Sequence, residues 1–228
     1  MVKIFQFLFF CFSYSVLFAQ PSVIIYSKID YTKSVKAFKQ NEMVNLKNKI
    51  PNIVLDLKYA TKNNFTNKKL YINANTTYLR LEPAYALFEL QMELNKMGYG
   101  IKVFDAYRPY AATKLMWDLI HDEAYVANPK NGSGHNRGTT IDLTLVDIKS
   151  GRELDMGTPF DNFTDSASHA FTAKFNATII ANRNLLRTSM EKHGFKILAS
   201  EWWHYGWITT FNYDVMDLSF NQLKKFVK

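Results

Sequence analysis

The stretch SGHNRGTTIDLTL, from Ser133 to Leu145, joins a glycine-rich loop to an alternating segment. Every second residue from Ile141 to Leu145 is apolar, which predicts a β-strand over TTIDLTLVDI. Asp142 lies between two of these apolar positions, so its carboxylate needs a partner, because an unpaired buried charge is costly. A metal ion shared with His135 would meet that need, and so would an arginine or a turn amide.

Helical and strand patterns surround this stretch without regular alternation, which favours the α+β class. Strands are predicted over NIVLDLKYAT, over IKVFDAY as far as Tyr107, and over both arms of FKILASEWWHYGWI. Helices are predicted in LEPAYALFELQMELNKMGYG, in RPYAATKLMWDLIHDEAYV and in NATIIANRNLLRTSMEKHG, where proline or glycine marks a start or a stop.

The composition is that of a globular chain with a sizeable core. Of the 228 residues, 47% are hydrophobic and 21% are charged, and no repeat or low-complexity linker divides them. The net charge of +8 is spread along the sequence, which indicates a solvated basic surface. Long basic blocks with interleaved aromatic residues do not occur, so we expect no nucleic-acid partner.

The N-terminus has the pattern of a secretory signal peptide. Lys3 precedes an apolar run that ends at Phe18, and Ala19 offers a small residue for cleavage. We therefore predict a signal peptide over 1–19, an N-terminal extension over 20–51 and one domain over 52–228. The mature protein would be periplasmic or secreted, without stable membrane insertion. An uncleaved anchor or a buried first helix is the alternative.

The chain has one cysteine, Cys11, and it lies inside the predicted signal peptide. The mature protein would then form no disulfide and use no thiolate as a metal ligand or nucleophile. A transition-metal site must therefore consist of His, Asp or Glu side chains. Of the five histidines, His135 and His204 lie in unusual local sequence.

The stretch SEWWHYGW places Glu201 three residues before His204. The two side chains share a face only if the backbone there is helical or tightly turned. A zinc hydrolase needs three protein ligands, an open position and a base beside it, and His135, Asp142, His204 and Glu201 would supply these groups. Alternatively, Glu201 caps a turn and His204 is a core residue.

A third candidate stretch is DAYRPY, at the end of a predicted strand. Arg108 is constrained by Pro109 and stands three residues after Asp105. An arginine aimed at a scissile carbonyl stabilises the charge that develops on its oxygen. The alternative is a surface ion pair between Asp105 and Arg108.

Six stretches occur in an order that resembles the D-alanyl-D-alanine dipeptidase family. They are DLKYATKNNFT, DAYRP, SGHNRGTTIDLTL, MGTPFDNF, NRNLLRTSMEKHGF and EWWHY, and they cover about Asn52 to Tyr205. The wider group is the zinc D,D-peptidases, which share a fold with the Hedgehog signalling domain. The resemblance implies a single α+β domain whose central, mainly antiparallel sheet is flanked by helices.

The resemblance also implies roles for individual residues. One Zn²⁺ per chain would be bound by His135, Asp142 and His204. Glu201 would act as general base and then as general acid, and Arg108 would stabilise the tetrahedral intermediate.

Three further residues match positions that hold the substrate in this family. Asp161, in MGTPFD, would meet the free ammonium of the substrate together with Glu201, and Tyr59 and Ser133 would position the dipeptide. The sequence departs from the family at Thr140, where a smaller residue is expected. The segment before the metal loop is also shorter, which affects pocket lids and substrate range.

The function implied is zinc-dependent hydrolysis of the D-alanyl-D-alanine dipeptide in the cell envelope, with a free amino end required. One alternative is a D,D-carboxypeptidase or endopeptidase that acts on peptidoglycan stems. A second is a non-catalytic metal-binding recognition module. The presence of Glu201 and Arg108 argues against the second, because a structural zinc needs neither.

Overall fold

The strand predicted around Asp142 lies at the centre of the fold in the computed structural model, which describes residues 24–123 and 125–227. The strands are β1 (Met43–Asn45), β2 (Val54–Leu55), β3 (Tyr78–Arg80), β4 (Tyr99–Asp105), β5 (Thr140–Asp147), β6 (Phe195–Leu198) and β7 (Glu201–Trp207). Five of them form one sheet in the order β2-β4-β5-β7-β6. Strand β2 runs parallel to β4 and the remaining pairs are antiparallel, which confirms the predicted mainly antiparallel sheet.

Helices cover this sheet as expected for the α+β class. They are α1 (Lys28–Ala37), α2 (Leu46–Lys49), α3 (Leu81–Lys96), α4 (Tyr110–Ile120), α5 (Gly134–Arg137), α6 (Ala177–Lys192) and α7 (Phe220–Phe226). Apolar side chains of α3 and α6 form one core cluster with alternate residues of β5, and those of α4 and α7 belong to a second cluster that is rich in tyrosine. The three predicted long helices are confirmed, although α4 ends at Ile120 because His121 adopts a left-handed conformation.

The strand predicted over NIVLDLKYAT is wrong for most of its length. Only Val54 and Leu55 pair with β4, and Lys58–Ala60 forms a turn of 3-10 helix. The chain turns away from the sheet because the carbonyl of Tyr59 accepts hydrogen bonds from the backbone amides of Leu70 and Tyr71 instead of from a strand. This turn buries the Tyr59 side chain, which is 3% exposed.

The segment before residue 52 packs on the rest of the molecule. Strand β1 pairs antiparallel with β3, and Ile25 bridges to Met216 near the C-terminus. The domain boundary at residue 52 stays a prediction. The predicted signal peptide over 1–19 lies outside the described residues. Among the residues described, none of the helices combines the length and the apolar character needed to cross a membrane.

Candidate active site and metal centre

The strand register brings two of the predicted ligands together. Asp142 pairs with Asp105 on one side and with His204 on the other, so three polar side chains form a row across β4, β5 and β7. A register shift in β4 between Val103 and Asp105 precedes this row. Because strand residues alternate between faces, Asp142 points away from Ile141 and Leu143, which are buried in the core.

The third predicted ligand comes from the glycine-rich loop. His135 lies in α5, which Gly138 ends in the left-handed conformation that glycine adopts without strain. The His135 Nδ1 atom donates to the carbonyl of Ala106 at 2.8 Å, which leaves Nε2 as the free ring nitrogen. This Nε2 atom lies 3.4 Å from Asp142 Oδ2.

His135, Asp142 and His204 fit a single metal ion. Their potential ligand atoms all lie within 4.8 Å of one another. The Oδ1 atom of Asp142 is buried and lies 2.9 Å from His204 Nδ1, yet it makes no properly oriented hydrogen bond to any residue that the structure describes. A carboxylate oxygen and two imidazole nitrogens that converge in this way are a ligand set suited to Zn²⁺.

Electrostatics keep the Asp142 carboxylate ionised. Burial alone would raise its pKa, but the imidazoles of His135 and His204 outweigh that effect and hold the pKa below its usual range. An ionised carboxylate is the form that coordinates a metal, so the site is poised to bind a cation.

Glu201 stands beside the ligands at the start of β7. Its Oε2 atom lies 3.6 Å from His204 Nδ1. The two side chains meet although they are three residues apart on a strand, because the pairing of β6 with β7 shifts register. Ile197 pairs with Tyr205, whereas Leu198 pairs with Glu201, which directly follows the turn at residues 199–200. Burial is the main cause that raises the pKa of Glu201, to about 7.

Arg108 forms a buried ion pair rather than the surface pair considered from the sequence. Its Nε and Nη2 atoms donate to Asp105 Oδ2 at 3.0 and 2.8 Å. The Arg108 side chain is 9% exposed and that of Asp105 is fully buried. The guanidinium also lies over the ring of Tyr59, 5.1 Å from its centroid, so both the edge and a face of this cation are held.

Asp161 is held by Tyr59. The hydroxyl of Tyr59 donates to Asp161 Oδ1 at 3.0 Å, with Oδ2 at 3.3 Å. Asp161 has a left-handed backbone with φ of 58°, an unusual conformation for a residue other than glycine. Burial, together with the charge of Asp142, raises the pKa of Asp161 well above its usual value.

Ser133 caps the helix that carries the first ligand. Its Oγ atom accepts a hydrogen bond from the His135 amide at 3.1 Å, and its own amide donates to Asn136 Oδ1, completing a capping box. The position of His135 therefore depends on Ser133.

One cavity of about 290 Å³ joins all eight residues selected from the sequence. They are Tyr59, Arg108, Ser133, His135, Asp142, Asp161, Glu201 and His204.

The sequence of this site has known relatives. Residues 39–222 match the family model described as D-ala-D-ala dipeptidase. The chain belongs to this dipeptidase family. The D-alanyl-D-alanine dipeptidase of Escherichia coli is 37% identical over 164 residues, which are 72% of this chain and 83% of that protein. The enzyme of the same name from Enterococcus faecalis is 36% identical over 169 residues, covering 66% of this chain and 83% of that protein.

Family membership confirms the resemblance stated from the six motifs. A solved structure of a vancomycin-resistance D,D-pentapeptidase in complex with Zn(II) was also matched, with 15% identity and a TM-score of 0.39 over 60% of this chain and 76% of that chain.

Three aromatic rings line the cavity although the sequence analysis did not select them as site residues. Phe163 meets Phe65 with ring centroids 5.2 Å apart and Tyr125 at 4.7 Å, and all three line the cavity. They come from three separate loops. Phe65 and Phe163 lie inside two of the quoted motifs, and this position could have indicated a role in the site. Tyr125 lies outside the motifs.

A fourth missed residue is Tyr71, whose hydroxyl donates to Asp105 Oδ1 at 2.7 Å. It lies in a turn-rich stretch, KKLYINANTT, without periodicity.

Proposed function

We propose that this chain hydrolyses the D-alanyl-D-alanine dipeptide, as its family does, with one Zn²⁺ held by His135, Asp142 and His204. The observation that carries the proposal is the convergence of these three ligand atoms within 4.8 Å in the same cavity as Glu201 and Asp161. A structural metal needs neither of the two additional carboxylates.

The metal and the protein divide the chemistry. Zn²⁺, when bound, supplies a Lewis acid that polarises a carbonyl oxygen and makes water a stronger acid. Glu201 accepts the proton of the attacking water and returns it to the leaving amine, since its carboxylate lies beside the ligand His204. Arg108 donates to the carbonyl oxygen as negative charge develops on it, with its guanidinium already oriented by Asp105.

Asp161 supports a preference for a free amino end. Its carboxylate lines the cavity together with Glu201, and a substrate ammonium placed between them would neutralise the pair. Tyr59 holds the Asp161 carboxylate through its hydroxyl, and so orients it. An acylated substrate has no ammonium at this position, so the Asp161 carboxylate would have no substrate cation to balance its charge.

The size of the cavity favours a small substrate. Its volume of about 290 Å³ is just below the ~300–1,000 Å³ usual for ligand sites. The rings of Phe65, Tyr125 and Phe163 line the same cavity and leave little room for a longer peptide. This arrangement supports a dipeptidase over a carboxypeptidase or endopeptidase that must admit a peptidoglycan stem.

One assay separates these activities. The purified protein, loaded with Zn²⁺, is offered D-Ala-D-Ala and N-acetyl-D-Ala-D-Ala, each with and without a chelator. We expect hydrolysis of the free dipeptide, which the chelator abolishes, and little turnover of the acylated form. Equal turnover of both would contradict the role of Asp161 and support a carboxypeptidase.

A variant tests the assigned base. Glu201→Gln keeps the shape of the side chain and removes the proton acceptor, so hydrolysis should fall at least ~10²-fold, as for loss of general acid–base catalysis. Bound zinc, measured by elemental analysis, should stay near one per chain. An active Glu201→Gln enzyme would refute the assignment, and loss of zinc would make Glu201 a ligand.

We also propose export of the protein to the periplasm or the medium, where dipeptides released from the cell wall would be its substrate. The proposal rests on the apolar run that ends at Phe18 and the small residue Ala19. N-terminal sequencing of the protein from fractionated cells should find a mature chain that starts near Gln20. A full-length chain in the cytoplasmic fraction would contradict export.

A further inference from the structure

The buried carboxylate of Asp105 is held from two sides. Its Oδ2 atom accepts both Arg108 donors, and its Oδ1 atom accepts the hydroxyl of Tyr71 at 2.7 Å. Tyr71 is the single hydrogen-bond donor to Oδ1 among the described residues. Rotation of the carboxylate about its bond to Cβ would break at least one of these attachments, so the two together fix its plane.

Tyr71 is itself held firmly. It is 2% exposed, and its ring packs against Phe220 of α7 with centroids 5.0 Å apart and against Tyr59 at 5.8 Å. Its backbone amide donates to the carbonyl of Tyr59 at 2.9 Å. The hydroxyl therefore has a fixed position from which to hold Asp105.

We propose that Tyr71 is a positioning residue for the hydrolysis proposed above: its hydroxyl fixes Asp105, and Asp105 fixes the guanidinium of Arg108. This inference rests on the proposed function, because it assigns Arg108 the task of stabilising charge on the substrate oxygen. Arg108 uses Nε and Nη2 on Asp105, and its Nη1 atom makes no hydrogen bond within residues 24–123 and 125–227. That atom is left for the substrate.

The consequence of losing the hydroxyl follows from this geometry. Without Tyr71 Oη, Asp105 Oδ1 is a buried acceptor without a donor. The carboxylate then turns to offer both oxygens to Arg108, and the guanidinium follows it. Stabilisation of a developing charge requires donors that are in place before the charge forms, so a displaced guanidinium weakens the transition state more than substrate binding.

A matched pair of variants tests this chain of contacts. Tyr71→Phe removes one hydroxyl and keeps the ring. Tyr78→Phe is the control, because Tyr78 is also fully buried near Phe220, at 6.4 Å, and its hydroxyl has no hydrogen-bond partner among the described residues. We expect kcat on D-Ala-D-Ala to fall about tenfold in Tyr71→Phe, which corresponds to one hydrogen bond to a charged group, with KM unchanged. Tyr78→Phe should keep both constants.

The same substitution made in an Arg108→Ala variant shows whether Tyr71 influences kcat through Arg108. When Arg108→Ala is already present, Tyr71→Phe should lower kcat by less than about twofold, because residues that act through one another are not additive. An equal loss in both backgrounds, or a kcat of Tyr71→Phe that matches the control, would overturn the proposal.

A third measurement is independent of hydrolysis. The NMR signal of the Arg108 Nε–H group should shift in Tyr71→Phe and stay in place in Tyr78→Phe. If the unsubstituted protein did not hydrolyse the dipeptide, the proposed function would be refuted, but the NMR comparison would still decide whether Tyr71 positions Arg108. An unmoved signal in Tyr71→Phe would defeat the inference alone.

Discussion

A methyl group added at Gly134 would collide with the central strand. The Cβ atom of Gly134→Ala would lie 2.0 Å from Thr140 Oγ1 and 3.1 Å from Thr140 Cβ, whereas carbon atoms pack best at ~3.5–4.0 Å. The backbone of Gly134 does not have a positive φ, so alanine would cause no backbone strain there and only the clash opposes the substitution. This glycine directly precedes the ligand His135.

The cost follows from how little Thr140 can move. Threonine is stiff about χ1, and Thr140 begins β5 opposite Gly206 of β7 in the interior of the sheet. Relief must therefore come from α5, which carries His135 away from Asp142. Overpacking of this kind costs about 2 kcal/mol. Displacing the imidazole should weaken Zn²⁺ binding about tenfold, as for other changes that disturb the orientation of a ligand.

The assay combines urea unfolding with competition for Zn²⁺ by a chelator. Gly134→Ala should lose stability and metal affinity, and Gly134→Ala with Thr140→Ala should recover to within about 1 kcal/mol of Thr140→Ala alone, because contacting sites couple. Thr140→Val is the control: it keeps a branched side chain and should not rescue. If Thr140→Val rescued as well as Thr140→Ala, or neither did, the clash with Thr140 would not be the cause.

Two further predictions concern residues behind the site. Burial, with the nearby Arg187 and Arg183, lowers the pKa of His169 to about 4, so between pH 6.5 and 4 the unfolded chain binds more protons than the folded one. Stability should fall as the pH drops through that window, by about 1 kcal/mol from this partly exposed side chain, and urea unfolding of His169→Gln should show a flatter pH dependence. Arg183 donates to backbone carbonyls that precede and follow Asp161 in the sequence, so Arg183→Met should raise KM for the dipeptide severalfold. Arg187→Met, one turn along α6, is the control and should leave KM unchanged. Equal KM values in the two variants would show that Arg183 does not hold the Asp161 loop.

Much of the fold could be predicted because its main elements carry long, regular patterns. Strand β5 and helices α3 and α6 each repeat their apolar positions for at least eight residues, and Gly98 and Gly194 mark where the two helices end. The segment around Tyr59 was misread because four alternating apolar residues fit a long strand, and they equally fit a two-residue strand followed by a short turn that buries Leu57 and Tyr59.

Some residues of the site could likewise be predicted from local sequence, and others could not. The ligands and the base stand in short motifs of unusual composition, which the sequence displays directly. The contact of Tyr71 with Asp105 spans 34 residues and depends on Phe220, which lies near the other end of the chain. No local pattern encodes such a contact, because it joins residues that are distant in the sequence and packed in one cluster with α7.

The alternation of apolar and polar residues along β5 connects the stability of the core with the geometry of the metal site. Ile141 and Leu143 are fully buried in the core, and Asp142 between them faces the cavity. A slip of one residue in the register would bring Asp142 into the core and two large apolar side chains into the cavity, and each change is unfavourable by several kcal/mol. The strand can therefore pair with β4 and β7 in one register alone, and that register sets Asp142 opposite His204. The hydrophobic core thus positions the metal ligands before any metal binds, which is why the pattern of apolar residues around Asp142 carries as much information about the site as the ligands themselves.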